Sequence, residues 1–432
     1  MSLTDALPSI HDILASNRVR THFQPILSAR QKSIVGLEAL SRGIAGIEAL
    51  SLGGVLENGR YIPPDILFKM ARQEGLEDKL KQLCQETAVR SFAALQNRPD
   101  GLVLFINFDP SAAIDDDTAA DELYWLFDSV GILPRNVAIE ILESQIDDLP
   151  KLCNLFDRFR QSGFLVVLDD VGAGHSNLNR IPLIKPDILK VDRGLISNID
   201  ADYYKQETFK SLVGLSRRIG ALMVAEGVES ESEAIVSLEL GADLLQGYFL
   251  SRPQELENFE DSALTDATNR SAALARTFKS HMVGKINQRK LQHRRFNVIL
   301  NQLLCDLTTA DASQFDQLLS HTICHYPTVE CIYVLDEGGI QISDTVCNAT
   351  IPRRSSGVMF QPAPKGTDHS LKGYYYILMD VELQKFTTDP YVSLASGNLC
   401  RTISTVFRDA ANNKMYILCI DVSGNDAARD HA

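Results

Sequence analysis

The sequence predicts an α/β fold, a modified (β/α)8 barrel with one irregular antiparallel strand, followed by a smaller α+β domain. Two observations carry the barrel. From Arg20 to about Pro253, short apolar runs of strand length alternate with longer helix-periodic stretches, the pattern of repeated βα units with buried parallel strands. Acidic and amide residues, Glu38, Asn107, Glu140, Asp169, Asp170 and Glu226, stand where such runs end. The C-terminal ends of barrel strands converge on one mouth, whereas in an open sheet so many ends would spread along a crevice.

Taken in order, the strand candidates are His22 to Leu27, Ile34 to Ala39, Leu102 to Asn107, Val137 to Leu142, Leu165 to Leu168, Ile188 to Val191, Leu222 to Ala225 and Leu244 to Gln246. Only a short Ser28 to Ser33 turn separates the first two, so the second is expected to run antiparallel to its neighbour. Helix-like segments between them include Asp65 to Ala71, Glu77 to Ala94, Ala120 to Ser129, Leu149 to Ser162, Gln206 to Ile219 and Glu231 to Leu240. Residues Ala263 to Leu304 carry apolar positions at helical spacing, among them Leu274, Phe278, Met282, Ile286 and Leu303, and predict a long or broken connector helix. Its basic cluster, Lys285, Arg289, Lys290, His293, Arg294 and Arg295, reads as a solvated face. Beyond it come a helix at Ser313 to His321 and strands at Glu330 to Asp336, Ile340 to Ser343, Leu399 to Phe407 and Met415 to Val422. A hairpin turn is expected at Asp409 to Asn413. The domains are accordingly placed at 1–260, 261–308 and 309–432.

Composition bounds the function. A chain of 432 residues with 45% hydrophobic residues and a mean hydropathy of -0.06 can fill real cores. The formal charge of -14, from 42 Lys+Arg against 56 Asp+Glu, argues against duplex DNA as a partner. It does not argue against an anionic substrate, because bound cations invert the field of a carboxylate-rich pocket. Met1 to Asn17 has neither the basic nor the continuous apolar region of a secretion signal. No stretch reaches the roughly 20 apolar residues that cross a bilayer, so no transmembrane segment and a cytoplasmic location are expected. The 8 Cys include no CxxC pair and read as reduced thiols rather than structural zinc ligands.

The strand-end sequences carry a resemblance. Phe23-Gln24-Pro25, Glu38-Ala39-Leu40-Ser41-Arg42, Ile106-Asn107-Phe108-Asp109, Glu140-Ile141-Leu142-Glu143, Asp169-Asp170-Val171-Gly172-Ala173-Gly174, Leu189-Lys190-Val191-Asp192, Ala225-Glu226-Gly227-Val228-Glu229 and Leu245-Gln246-Gly247-Tyr248 occur in the order typical of EAL domains. The match covers roughly half the chain and rests on the ordered set; any one triplet would be weak. The resemblance implies a modified TIM barrel that hydrolyses cyclic di-GMP to linear 5'-pGpG with Mg2+ or Mn2+, or, in members that have lost catalysis, a receptor for the nucleotide.

Such chemistry needs hard oxygen ligands that hold two divalent ions roughly 3.5 to 4 Å apart. Glu38, Asn107, Glu140 and Asp169 resemble the ligands of one ion, and Asp169, Asp170 and Glu226 those of a second. Lys190 resembles the residue that contacts the attacking water, and Glu143 one that anchors the loop after its strand. Gln24, Leu40, Arg42, Asp192 and Gln246 resemble substrate-contacting positions. Asp169 and Asp170 cannot both face inward on a regular strand, so Asp170 is expected where the chain leaves it, helped by Gly172 and Gly174. Taken singly, these residues have blander readings: Asp169 and Asp170 as helix caps, Arg42 and Lys190 as solvated charges, Asn107 and Gln24 as turn closers. The chain departs from the family pattern at Leu142, Val171, Ala173 and His175, where hydroxyl and aromatic residues are usual; His175 reads as solvent-facing. The last 110 or so residues resemble PAS or Cache-like sensor modules, through Val334-Leu335-Asp336-Glu337-Gly338-Gly339, Asp368-His369-Ser370-Leu371-Lys372-Gly373-Tyr374 and Ile417-Leu418-Cys419-Ile420-Asp421-Val422. That resemblance implies a small ligand or protein partner at the C-terminal domain, and a homodimer is expected.

Overall fold

The structure, a computed structural model, describes residues 9–17, 19–40, 62, 64–95, 99, 101–108, 118–141, 149–173, 178–255, 264–354 and 359–423. The chain falls into two compact units, Met1–Val283 and Gly284–Ala432. In the first, β1 (His22–Ser28), β2 (Ser33–Leu40), β3 (Val103–Phe108), β4 (Val137–Ile141), β5 (Leu165–Val171), β6 (Ile188–Val191), β7 (Leu222–Ala225) and β8 (Leu244–Leu245) close a barrel. Strands β2 to β8 are parallel neighbours in chain order. The reversed strand is β1, antiparallel to both β2 and β8. A short turn can return the chain only antiparallel, and β1 fills the remaining gap in that direction. A two-residue strand, β9 (Gln254–Glu255), pairs with the start of β1.

Helices Pro64–Gln73, Glu77–Ala93, Ala119–Ser129, Leu149–Gln161, Tyr203–Ile219 and Glu231–Leu240 follow the expected segments within a few residues. Their ends have local causes. Asp202 caps the Tyr203 helix by accepting from Tyr204 N and Lys205 N, and Ser230 and Glu233 form a reciprocal capping box before Glu231. Gly220 and Gly241 end these two helices in the left-handed conformation. Between strands and helices lies a continuous apolar layer, in which Phe159 meets Phe108 and Phe164 edge-on.

Inside the barrel, Ile26, Phe105, Ala138, Val167, Ile188, Val224 and Leu244 form a second apolar cluster. Gly36 sits against it, and a Cβ there would come within 2.4 Å of the Phe105 ring. Gly36→Ala is therefore expected to lower stability by about 1–3 kcal/mol through overpacking, read as a lower urea midpoint with unchanged slope.

The stretch expected as a connector is one continuous 46-residue helix, Leu264–Thr309. Gly284 does not interrupt it. Within the second unit, Ile299, Leu300, Leu303 and Leu307 pack with Phe315 and Leu319 of helix Phe315–Ile323 on one face of an antiparallel sheet. That sheet runs β11 (Val346–Cys347), β10 (Val329–Asp336), β15 (Met415–Ser423), β14 (Leu399–Arg408), β12 (Lys385–Thr387), with β13 (Tyr391–Val392) also on β14. The expected β14–β15 hairpin turn is present, and Asn413 supplies its left-handed residue (φ 55°). Helix Gly373–Asp380, which sequence periodicity did not suggest, covers the other face with Tyr374 and Leu378. Ile340 to Ser343 is not a strand: it makes only the isolated bridges Leu335↔Gln341 and Ile340↔Asp368. Gln341 turns its amide back on its own loop, donating to Ser343 O and Thr345 Oγ1 at 2.8 and 2.9 Å.

Asp421 is buried in this sheet with Thr402 Oγ1 donating to it at 2.7 Å. Burial pushes its carboxyl up to about 7. The native chain therefore keeps a proton that the unfolded chain, titrating near pH 3.9, releases, and this group's contribution to stability falls as pH rises between about 4 and 7. Asp421→Asn is expected to stabilise the protein by roughly 1–3 kcal/mol at pH 8 and little at pH 4, as denaturant titration at the two pH values would show.

Candidate active site

Side chains alternate along a strand, so the position two residues beyond the inner apolar layer faces the same lumen. Applied to all eight strands, this rule yields one ring. From Gly36, Phe105, Ala138, Val167, Ile188, Val224 and Leu244 it leads to Glu38, Asn107, Glu140, Asp169, Lys190, Glu226 and Gln246. From Ile26 on the reversed β1 it leads backward to Gln24, which pairs directly with Glu38 in the β1–β2 register. The eight positions come from eight different strands or strand ends.

A ninth side chain enters through a bulge. The β5–β6 register gains one residue on β5 between Leu168 and Val171, and Asp170 takes a left-handed φ of 54°. Asp170 thus lies within the strand's span at a bulge, not beyond its end as expected. The consequence is that carboxylate oxygens of Asp169, Asp170 and Glu226 all lie within 4.8 Å of one another. A non-glycine residue in that conformation is strained, a cost commonly met where geometry serves a site.

At the centre stands the Lys190 ammonium, fully buried. Its Nζ lies 2.6 Å from Glu140 Oε1, 3.1 Å from Glu38 Oε2 and 3.7 Å from Asp169 Oδ1, and it also pairs with Glu226. Burial alone would lower the Lys190 ammonium's pKa, but Asp169, Glu140, Glu226 and Glu38 together outweigh it and hold the group well above its ordinary value. Glu140 and Glu226 are pushed well above the carboxylate range, first by burial and then by the neighbouring carboxylates, with Lys190 only partly opposing the shift. Glu38, Glu140, Asp169 and Glu226 crowd one ammonium, so acidic groups outnumber the buried cation four to one.

The hydrogen bonding shows the same deficit. Neither carboxylate oxygen of the buried Glu140 accepts a well-directed hydrogen bond; Lys190 reaches Oε1 in distance but not in direction. Asn107 Nδ2 and Gln246 Oε1 are likewise buried without hydrogen-bond partners. An all-oxygen donor set with excess negative charge and unsatisfied buried oxygens fits hard divalent cations. The two glutamines are held in place: Gln24 Nε2 donates to Ser251 O at 3.0 Å, and Gln246 Nε2 donates to Gln24 Oε1 at 3.2 Å and to Glu38 Oε2. The Ser251 contact spans more than half the chain, and no local sequence signal points to it.

Other candidates lie at or beyond the rim. Leu40 ends β2 and is buried. Asp192 caps the short helix Arg193–Ile196, accepting from Gly194 N at 2.7 Å. Glu229 pairs with Arg193 at 2.8 Å. Arg42, Leu142, Glu143, Gly174 and His175 lie outside the described residues.

Comparison with known proteins adds four findings. The EAL domain family profile matches residues 8–253. A probable cyclic di-GMP phosphodiesterase of Escherichia coli, PdeB, is 26% identical over 250 residues, 58% of this chain and 45% of PdeB, so the chain spans less than half of that relative. The uncharacterized EAL-domain containing protein YkuI of Bacillus subtilis is 25% identical over 424 residues, 96% of this chain and 95% of YkuI. A crystal structure of YkuI in complex with cyclic di-GMP and calcium is similar in fold over 96% of this chain and 99% of that one, with a TM-score of 0.72 at 23% identity.

Proposed function

The chain belongs to the EAL domain family, and from that premise we propose that its barrel hydrolyses cyclic di-GMP to linear 5'-pGpG with two Mg2+ or Mn2+ ions per site. The observation that carries this reading is the single ring of carboxylates, Asn107 and Lys190 at one barrel mouth. Glu38, Asn107, Glu140 and Asp169 would hold one cation, and Asp169, Asp170 and Glu226 the other. When bound, such cations polarise a phosphoryl oxygen and make water a competent nucleophile near neutral pH.

The protein's own groups do the rest. In the metal-free site its carboxylate neighbours hold Lys190 protonated; in this reading its ammonium donates hydrogen bonds that orient a water and offset charge growing on phosphate. Gln24 and Gln246, fixed by their mutual bond, present amides to the substrate. In this reading Leu40, Arg42 and Asp192 line the nucleotide's path and Glu143 steadies the loop after β4. We take the chain as cytoplasmic and homodimeric, with the C-terminal unit a PAS or Cache-like module that takes a small ligand or protein partner and modulates turnover. Among the described residues no helix is long and apolar enough to cross a membrane.

Incubation of the purified protein with cyclic di-GMP and Mn2+ is expected to release linear 5'-pGpG, and Glu38→Ala to slow it on the order of 10²–10³-fold. Nucleotide binding without product would favour a receptor instead; equal turnover in the variant would remove Glu38 from the site.

A further inference from the structure

In the C-terminal unit, far along the chain from the barrel ring, two thiols face each other. The antiparallel register pairs Cys331 on β10 directly with Cys347 on β11. One position along the ladder, Asn348 N donates to Glu330 O at 2.8 Å, which makes the two cysteines a non-hydrogen-bonded pair. In such a pair the Cα atoms approach to about 4.5 Å, inside the roughly 4.4–6.8 Å that a disulfide spans, and both side chains project to one side of the sheet. Their sulfurs are 2.8 Å apart. All eight cysteines are free thiols, and among the described residues this is the pair whose sulfurs meet.

The two thiols differ in a way that suits stepwise chemistry. Cys331 is fully buried, whereas Cys347 is only partly so. Hydrogen bonding from Cys331, helped by the positive charge of Arg353, holds the Cys347 thiol below its ordinary value despite partial burial. The hydrogen bond to Cys347 and burial push Cys331 up. The partly exposed Cys347 is the sulfur an oxidant can reach, and the buried Cys331 is left to resolve.

We propose that Cys331 and Cys347 form a reversible cross-strand disulfide, a redox modification site responsive to hydrogen peroxide. The Cys347 thiolate attacks one peroxide oxygen, the O–O bond breaks, and the departing hydroxide takes a proton to become water. Cys331 sulfur then attacks the sulfenic sulfur of Cys347; its proton and the sulfenic hydroxyl leave as a second water. Two electrons from the two sulfurs thus reduce one peroxide, and a small thiol reductant reverses the bond by exchange. The bridge ties the two-residue β11 to β10, and Cys331 is in turn paired in register with Asp421 on β15 near the middle of the sheet.

The test treats the reduced full-length protein with stoichiometric hydrogen peroxide, blocks residual thiols and maps the peptides by mass spectrometry. A peptide pair joining Cys331 to Cys347, lighter by two hydrogens, is expected before the exposed Cys305 and Cys324 are modified, and dithiothreitol should remove it. Cys347→Ser should abolish the link while circular dichroism stays unchanged. The proposal fails if the exposed thiols oxidise while Cys331 and Cys347 stay unlinked, or if Cys347 proceeds to sulfinic acid without joining Cys331. The wild-type map decides this even if a variant folds poorly.

Discussion

Lys190→Met is expected to lower the melting temperature of the metal-free protein by about 10 °C, and Mn2+ or Mg2+ to recover most of that loss. The side chain is fully buried among Glu38, Glu140, Asp169 and Glu226, and among the described residues it is the only Lys or Arg so placed. Methionine keeps the volume and removes the charge, leaving carboxylates whose nearest compensation is gone. Breaking a buried pair in this way costs about 3–5 kcal/mol. Divalent cations supply the missing charge if these oxygens are ligands, so the two conditions separate a metal site from a structural ion-pair network. Melting curves in chelator and in Mn2+ give the answer; equal curves for variant and parent in chelator would contradict the electrostatic account. Turnover should stay low in both conditions, because the orienting ammonium is lost.

Asp169→Asn should move stability and activity in opposite directions. Asp169 is 2% exposed, lies 3.7 Å from Lys190 and shares the tight cluster with Asp170 and Glu226. Removing one of several crowded charges relieves repulsion in the metal-free protein, so denaturant unfolding in chelator is expected to show a gain of about 1 kcal/mol. The same change removes the ligand shared by both proposed cations, and product formation is expected to fall by roughly 10³-fold or more. A variant that loses stability in chelator and keeps turnover would show that Asp169 serves the fold instead.

Much of this ring is legible in the sequence for a physical reason. A parallel barrel strand is buried on both faces, so a carboxylate at its C-terminal end has few innocent explanations, and four such ends in one ordered series, with Asn107, Lys190 and Gln246 at three more, have fewer. The reversed β1 hides Gln24 from that rule, because its mouth end is the start of the strand. The bulge at Asp170 is a backbone event with no composition signal; only the impossibility of two inward neighbours hinted at it. In the C-terminal unit the strand-length runs Leu399 to Phe407 and Met415 to Val422, rich in β-branched and aromatic residues, mark β14 and β15. By contrast Gly373–Asp380 is rich in tyrosine and lacks a side-chain cap, so its helix emerges only from packing on Tyr333 and Leu335. Ile340 to Ser343 has strand composition, but beside β10 the Ser343 hydroxyl rather than a backbone carbonyl accepts from Val334 N, so isolated bridges replace a ladder. Cys331 and Cys347, sixteen residues apart, become neighbours only once the register is known.

The central claim is that one barrel mouth holds two divalent cations with Asp169 between them. Anomalous scattering at the manganese edge, from crystals grown with Mn2+ and a non-hydrolysable cyclic di-GMP analogue, tests it most directly. The account predicts two peaks, one bounded by Glu38, Asn107, Glu140 and Asp169 and the other by Asp169, Asp170 and Glu226. A mouth without manganese, with those carboxylates still gathered on Lys190, would contradict it.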